Sequence, residues 1–258
     1  MRKDYHMHPT VLQNPARFDE FAREALKKGI QEICVTDHMP LSISSARDRI
    51  PHGEVKSYCR RVREIAKSYE GILTVKLGIE IDYHKSAINE IETVLSAGEF
   101  DYILASSHMH VYTRDFTKYT FNDFAKMALE NSIESVEYGH FSAISHVDMY
   151  RWAFCNHHRF PLIKDEYDPM MHKELFSELF DKMANRDIRL EINPHFAEAK
   201  GDVSYTYPES MVLEMALARN LKFSYGSDAH EPHSVGALLD ELEAHPIYAV
   251  ALRKWENE

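Results

Sequence analysis

The sequence predicts an α/β protein built on a parallel sheet, either closed as a barrel or open and doubly wound. Short β-prone runs alternate with amphipathic helical stretches seven times along the chain. No glycine-rich phosphate loop follows any of these strands, which counts against an open dinucleotide-binding sheet. Each strand also ends in polar, metal-capable residues, on the edge where barrel enzymes carry their chemistry.

In chain order, strands are expected over residues 3–8, 32–37, 73–82, 102–107, 143–146, 188–193 and 222–227. Helices are expected over residues 15–28, 54–69, 86–97, 121–138, 169–185, 208–219 and 232–244. Pro15, Pro169, Pro208 and Pro232 fall at first-turn positions, where a missing N–H is harmless. Lys28-Gly29 and Ala97-Gly98 read as helix stops. With no internal repeat and no linker-like stretch, one domain spanning residues 1–258 is the expectation.

The composition is globular, with 44% hydrophobic and 28% charged residues. Cys34, Cys59 and Cys155 are too scattered for a disulfide framework or a zinc ribbon, and read as reduced thiols of a cytosolic protein. There is no apolar signal core and no run long enough to span a membrane, so a soluble, cytoplasmic protein is expected. A net charge of −11 opposes a broad nucleic-acid footprint. The 16 histidines are the anomaly, and their positions matter more than their number.

His6-Met7-His8 places two imidazoles on one strand face, because side chains alternate with period 2. The strand ends then offer Asp37/His38, Glu80/Asp82, His108/His110, His146/Asp148, Glu191/Asn193 and Asp228/His230. One histidine after a strand is more often structural, but seven polar ends on one edge make a site. Imidazoles mixed with carboxylates suit Zn, Mn or Fe better than Mg or Ca. Asp37 and Asp148 are candidates to orient an imidazole, with capping of the following turn as the equal alternative.

These residues resemble the PHP (polymerase and histidinol phosphatase) family of metallophosphoesterases. The resemblance rests on His6-Met7-His8, Thr36-Asp37-His38, Gly78-Ile79-Glu80, Ser106-Ser107-His108, Ser145-His146-Val147-Asp148 and Gly226-Ser227-Asp228-Ala229-His230, in that order. Their spacing is most similar to the stand-alone histidinol-phosphatase branch. The resemblance implies a distorted (β/α)7, TIM-like barrel holding two or three divalent ions. By position it implies that His6, His8, Glu80 and Asp228 hold one ion. Glu80 would bridge to a second held by His108 and His146, and His38 and His230 would serve a third. Many members carry a further histidine where this chain has Asn14, a weaker ligand that leaves the third ion open.

The reaction implied is hydrolysis of a small phosphate monoester, with L-histidinol phosphate first among the substrates. The attacking hydroxide would bridge two ions, with Glu80 and Asp228 in the catalytic group. Another PHP phosphoesterase substrate (nucleotide, sugar phosphate or phosphotyrosine) and a catalytically silent module are the alternatives. Arg151 matches a basic position of the branch and would clamp phosphate in a fork, the alternative being a surface salt bridge. Where the branch tends to carry a second arginine, this chain has the segment from Asn193 to Lys200. There, His195 or Lys200 would face the substrate. Residues 151–167 read as a long aromatic-rich loop over the site. Neither nucleic acid nor membrane is expected as a partner, and a monomer or a homodimer is equally compatible with the sequence.

Overall fold

The computed structural model describes residues 1–39, 41–42, 49–108, 119–151 and 168–257. Seven strands form one sheet in sequence order: β1 (Arg2–Asp4), β2 (Ile30–Val35), β3 (Thr74–Asp82), β4 (Tyr102–Ser106), β5 (Ala143–Ile144), β6 (Arg189–Ile192) and β7 (Phe223–Tyr225). Every neighbouring pair is parallel. The sheet curls until its ends meet. The N–H of Tyr5 donates to the Tyr225 carbonyl at 2.9 Å, that of Asp228 to His6 at 2.8 Å, and that of His8 to Ala229 at 2.8 Å. The seam is thus a parallel bridge just beyond the regular ladders, and the fold is a nearly closed (β/α)7 barrel in a single domain.

Helices fill the connections: α1 (Arg17–Lys27), α2 (Val55–Ser68), α3 (Ile88–Leu95), α4 (Phe121–Tyr138), α5 (Lys173–Arg186), α6 (His195–Lys200), α7 (Ser210–Ala218), α8 (Leu239–Ala244) and α9 (Tyr248–Glu256). α1 buries Phe18, Phe21, Ala22 and Ala25 at 3.6-residue spacing against the barrel. It stops at Gly29, whose φ of 70° needs no Cβ. α4 starts on a reciprocal Thr120–Asp123 capping box. Among the described residues no helix is long and apolar enough to cross a membrane.

All seven expected strands form, but their ladders stop short of the expected ends at β1, β2, β4, β5, β6 and β7. Beyond those points single hydrogen bonds replace the ladder, as where the N–H of Met39 donates to the Glu80 carbonyl at 2.8 Å. Side chains from a ring of strands must bend toward one centre, and a regular ladder would keep them parallel. Two of the proline expectations need correction. Pro15 precedes the Ala16 N-cap of α1, and Pro208 precedes the Glu209 N-cap of α7, so neither is a first-turn residue. Pro169 opens a 3₁₀ turn that runs into α5, but Pro232 opens only a three-residue turn, and the helix expected from residue 232 starts at Leu239. Gly98 is no left-handed helix stop. A Cβ there would lie 2.4 Å from Cys59 Sγ, so the glycine serves a close approach.

The barrel interior has two zones. Toward the amino ends of the strands, Cys34, Tyr102, Leu104 and Ala143 form a small buried cluster against Tyr5. Tyr5 sits edge-on to both Tyr102 and Trp255 of α9, at 4.9 and 4.8 Å between centroids. Toward the carboxyl ends the inward rows turn polar, because positions two apart on a strand share a face. Gly78 leads to Glu80 and Asp82, Tyr102 to Ser106 and His108, Arg189 to Glu191 and Asn193.

Candidate metal centre

Glu80 stands at the middle of the polar zone, 1% exposed. Its Oε2 lies 2.6 Å from His38 Nδ1 and 3.5 Å from the Nε2 atoms of both His6 and His8. Its Oε1 lies 3.1 Å from His146 Nε2 and 3.7 Å from His108 Nε2, and also accepts from the Ser106 hydroxyl. Five imidazoles from β1, β2, β4 and β5 therefore surround one carboxylate. Asp228 supplies the second carboxylate from the far end of the chain, with Oδ1 3.2 Å from His8 Nε2 and 3.6 Å from His6 Nε2. Its φ of 55° is left-handed, a conformation Asp tolerates better than most residues. Backbone of this kind collects at functional sites.

These atoms form four overlapping triads in which every ligand atom lies within 4.8 Å of the others: His6/His8/Asp228, His6/Glu80/His146, His8/His38/His230 and His195/Asp228/His230. Within them, His6 Nε2 and both ring nitrogens of His8 are buried without a hydrogen-bond partner. A buried polar atom left unpaired is costly. Lone pairs converging at such distances are what a cation would satisfy, so the donor set fits divalent ions bound by nitrogen and oxygen.

The same crowding sets the charges of the cluster. Although burial opposes it, the carboxylates of Glu191, Asp228 and Glu80 hold the His6 imidazole well above its usual pKa. His108 is pushed up to about 9, since Asp82 and Glu80 outweigh its burial. Burial and the neighbouring His38 and His230 drive His8 well below the usual range. Glu80 and Asp228 stay well below the ordinary carboxylate range despite burial, because imidazoles crowd them.

All eight sequence-predicted ligands, His6, His8, His38, Glu80, His108, His146, Asp228 and His230, come together in this cluster. Asn14 is exposed in the turn before α1, where its carbonyl accepts from the N–H of Arg17. Arg151 is buried, with Nε 3.0 Å from Asp148 Oδ2, Nη2 donating to the Thr206 carbonyl at 2.8 Å, and its guanidinium over the Tyr207 ring. His195 opens α6 beside the cluster, with Nδ1 3.1 Å from the Asp228 carbonyl. Lys200, at the other end of α6, is exposed with Nζ 5.3 Å from the Phe196 ring centre. His110 and most of the expected 151–167 loop lie outside the described residues.

The carboxylates that hold imidazoles differ from those expected. Asp37 accepts from the N–H groups of Thr10 and Val11, so it caps the turn after β1 and not the turn that follows Asp37 itself. Asp148 accepts from the N–H of Glu209 and pairs with Arg151. Asp82 instead bonds His108 Nδ1, and Glu191 bonds His6 Nδ1 at 2.6 Å. Both stood among the strand-end residues. The signal that could have found them is parallel register, since Asp82 pairs with Ser106, two residues before His108.

A seven-stranded parallel barrel carrying a buried histidine–carboxylate cluster at its carboxyl edge defines a metallohydrolase-type scaffold. Residues 4–195 match the PHP domain, and the chain belongs to that family. Two curated relatives are similar over nearly their whole length. One is a Deinococcus radiodurans protein named "Probable histidinol-phosphatase" (26% identity; 90% of this chain, 88% of the relative). The other is the histidinol-phosphatase of Bacillus subtilis (24% identity; 91% and 96%). The same fold occurs in the histidinol phosphate phosphatase of Lactococcus lactis, solved with zinc, L-histidinol and phosphate (TM-score 0.71, 18% identity, 93% of each chain).

Proposed function

We propose that this chain is a metal-dependent phosphatase that hydrolyses L-histidinol phosphate to L-histidinol. One observation carries the metal-dependent part: four triads of ligand atoms converge around Glu80 and Asp228 at the mouth of the barrel. The substrate reading rests on the names of the two relatives, each matched over about nine-tenths of this chain.

His6, His8, His38, His108, His146, His230, Glu80 and Asp228 would hold two or three ions, drawn from Zn, Mn or Fe. Such ions lower the pKa of water to about 7 and neutralise charge on a phosphoryl group. The protein's own part is positioning and electrostatics. Glu80, with one oxygen toward His38, His6 and His8 and the other toward His146 and His108, joins the two halves of the ligand set. Arg151 is aimed by its ion pair with Asp148 and its bond to the Thr206 carbonyl, and serves as the phosphate clamp. His195, half-exposed beside Asp228 and His230, lines the substrate side. We place the enzyme in the cytoplasm as a monomer or homodimer.

The test is a kinetic panel on protein purified without chelator, paired with elemental analysis. The expected result is bound divalent metal and a kcat/KM for L-histidinol phosphate at least about tenfold above that for a generic aryl phosphate, a margin of roughly 1.4 kcal/mol. Equal rates on both substrates would end the histidinol phosphate reading in favour of another small phosphate ester. Absence of metal and turnover together would end the phosphatase reading.

A further inference from the structure

We infer that Glu191 of β6 is the positioning residue that sets the tautomer of His6, and that Asn193 couples this setting to Asp228. The inference rests on the metal-site reading above, but concerns a strand to which no ligand has been assigned. Glu191 is 1% exposed, and donors surround it on two sides. Oε1 lies 2.6 Å from His6 Nδ1. Oε2 accepts from the N–H of His146 at 2.9 Å and from Asn193 Nδ2 at 3.1 Å. The same Asn193 nitrogen lies 3.4 Å from Asp228 Oδ2, while its Oδ1 accepts from the N–H of His195 at 3.0 Å.

Two of Glu191's three partners have no choice of role. A backbone N–H only donates, and turning the Asn193 amide would set its NH2 against the His195 N–H. His6 is the one partner that can adapt, because a neutral imidazole carries its proton on either nitrogen. With Oε2 taken by two fixed donors and Oε1 against Nδ1, a metal-bound His6 would keep its proton on Nδ1 and leave its Nε2 lone pair on the side of Glu80 and Asp228. The chain also reserves room for this contact. A Cβ on Gly226, just past β7, would lie 2.3 Å from Glu191 Oε1 and 2.4 Å from His6 Cβ, so a side chain there would push the pair apart. Asp82 stands in the same relation to His108 on the opposite side of Glu80, with the bond again on Nδ1 and Nε2 turned inward.

Glu191→Gln tests this with almost no change in shape. Oε2 faces two fixed donors, so the amide must keep its oxygen there and turn its NH2 toward His6. That forces the proton to Nε2 and blocks the lone pair. The expected result is a roughly 10- to 100-fold loss of zinc affinity by chelator competition. Nitrogen-15 NMR of the zinc-loaded proteins should show His6 protonated on Nδ1 in the wild type and on Nε2 in the variant. Asn193→Ala should lose a smaller factor and keep the wild-type His6 tautomer. The inference is overturned if Glu191→Gln binds zinc within about twofold of wild type with Nδ1 still protonated. Should the variant not fold, the wild-type spectrum decides alone: a His6 proton on Nε2 sinks the idea. Metal-bound wild type with this signature but no turnover on L-histidinol phosphate would count against the substrate, not against Glu191.

Discussion

The two ends of the barrel interior are built from opposite materials. At the amino end Tyr5, Tyr102 and Trp255 stack edge to face, with Lys3 and Arg189 over the indole. At the carboxyl end the same strands present six or more imidazoles and several carboxylates, nearly all buried. The first zone is stabilising as it stands, because apolar area leaves water and cations lie over ring faces. The second is costly as it stands, because charges and lone pairs are held close in low dielectric. One sheet therefore concentrates stability at one end and chemistry at the other. The division predicts that substitutions at the two ends fail in different ways.

The largest effect should come from the carboxyl end. Joint replacement of His6 and His8 by Ala removes two of the three ligand atoms in the first triad. Bound metal and turnover should both fall to background by elemental analysis and phosphate release, while the circular dichroism spectrum stays native. Turnover retained in that variant would refute the metallohydrolase mechanism. At the other end, Trp255→Ala should cost about 3–5 kcal/mol and lower Tm by roughly 10 °C. Its kcat should be unchanged well below the new Tm. A Trp255 variant that lost activity without losing stability would erase the division.

The strands and the ligands were legible in the chain; the aromatic packing of the amino end and the inner wiring of the carboxyl end were not. Periodicity located all seven strands, since each carries enough β-prone residues to register against its neighbours. The ligands were legible because each is a metal-capable residue just beyond a strand. Among the described residues, two helices escaped. α6 has only six residues and follows Pro194, while α9 follows Pro246 and the β-region His245, with no cap signature of its own. The roles of Glu191 and Asp82 also escaped, because they depend on which strand tips touch. One-dimensional spacing shows that Asp37, Asp82, Asp148 and Glu191 all sit near strand ends. It does not show that two of them face imidazoles while the others hold backbone N–H groups and an arginine.

The carboxyl end should also titrate differently with and without metal. After chelation, protons take over part of the role of the cations. His108, at about 9 when folded against its ordinary 6.5, binds its proton more tightly in the folded state. That contribution is fully present below about 6.5 and is lost as the pH rises through about 9. Chelated protein should therefore lose several degrees of Tm between pH 6 and 9.5, whereas metal-loaded protein, whose imidazoles are already neutral ligands, should not. Parallel thermal melts of the two forms check the sign, and identical slopes would mean that the cluster does not bind metal in place of protons. Asp82→Asn should flatten the slope of the chelated form, because it removes the main charge that raises His108.

The smallest effect sharpens the border of the carboxyl zone along α6. His195 at its start touches Asp228, but Lys200 at its end is exposed and lies over the Phe196 ring. An exposed lysine in that position contributes within about 0.5 kcal/mol of nothing to stability. Unless the ammonium reaches the phosphate, Lys200→Ala should change KM for L-histidinol phosphate by no more than about twofold, the kinetic equivalent of that energy. A tenfold rise in KM with kcat preserved would instead show that Lys200 supplies binding alone, as a point charge acting from the rim. Substrate recognition would then extend along the whole of α6, and the functional zone would be wider than the buried cluster that defines it.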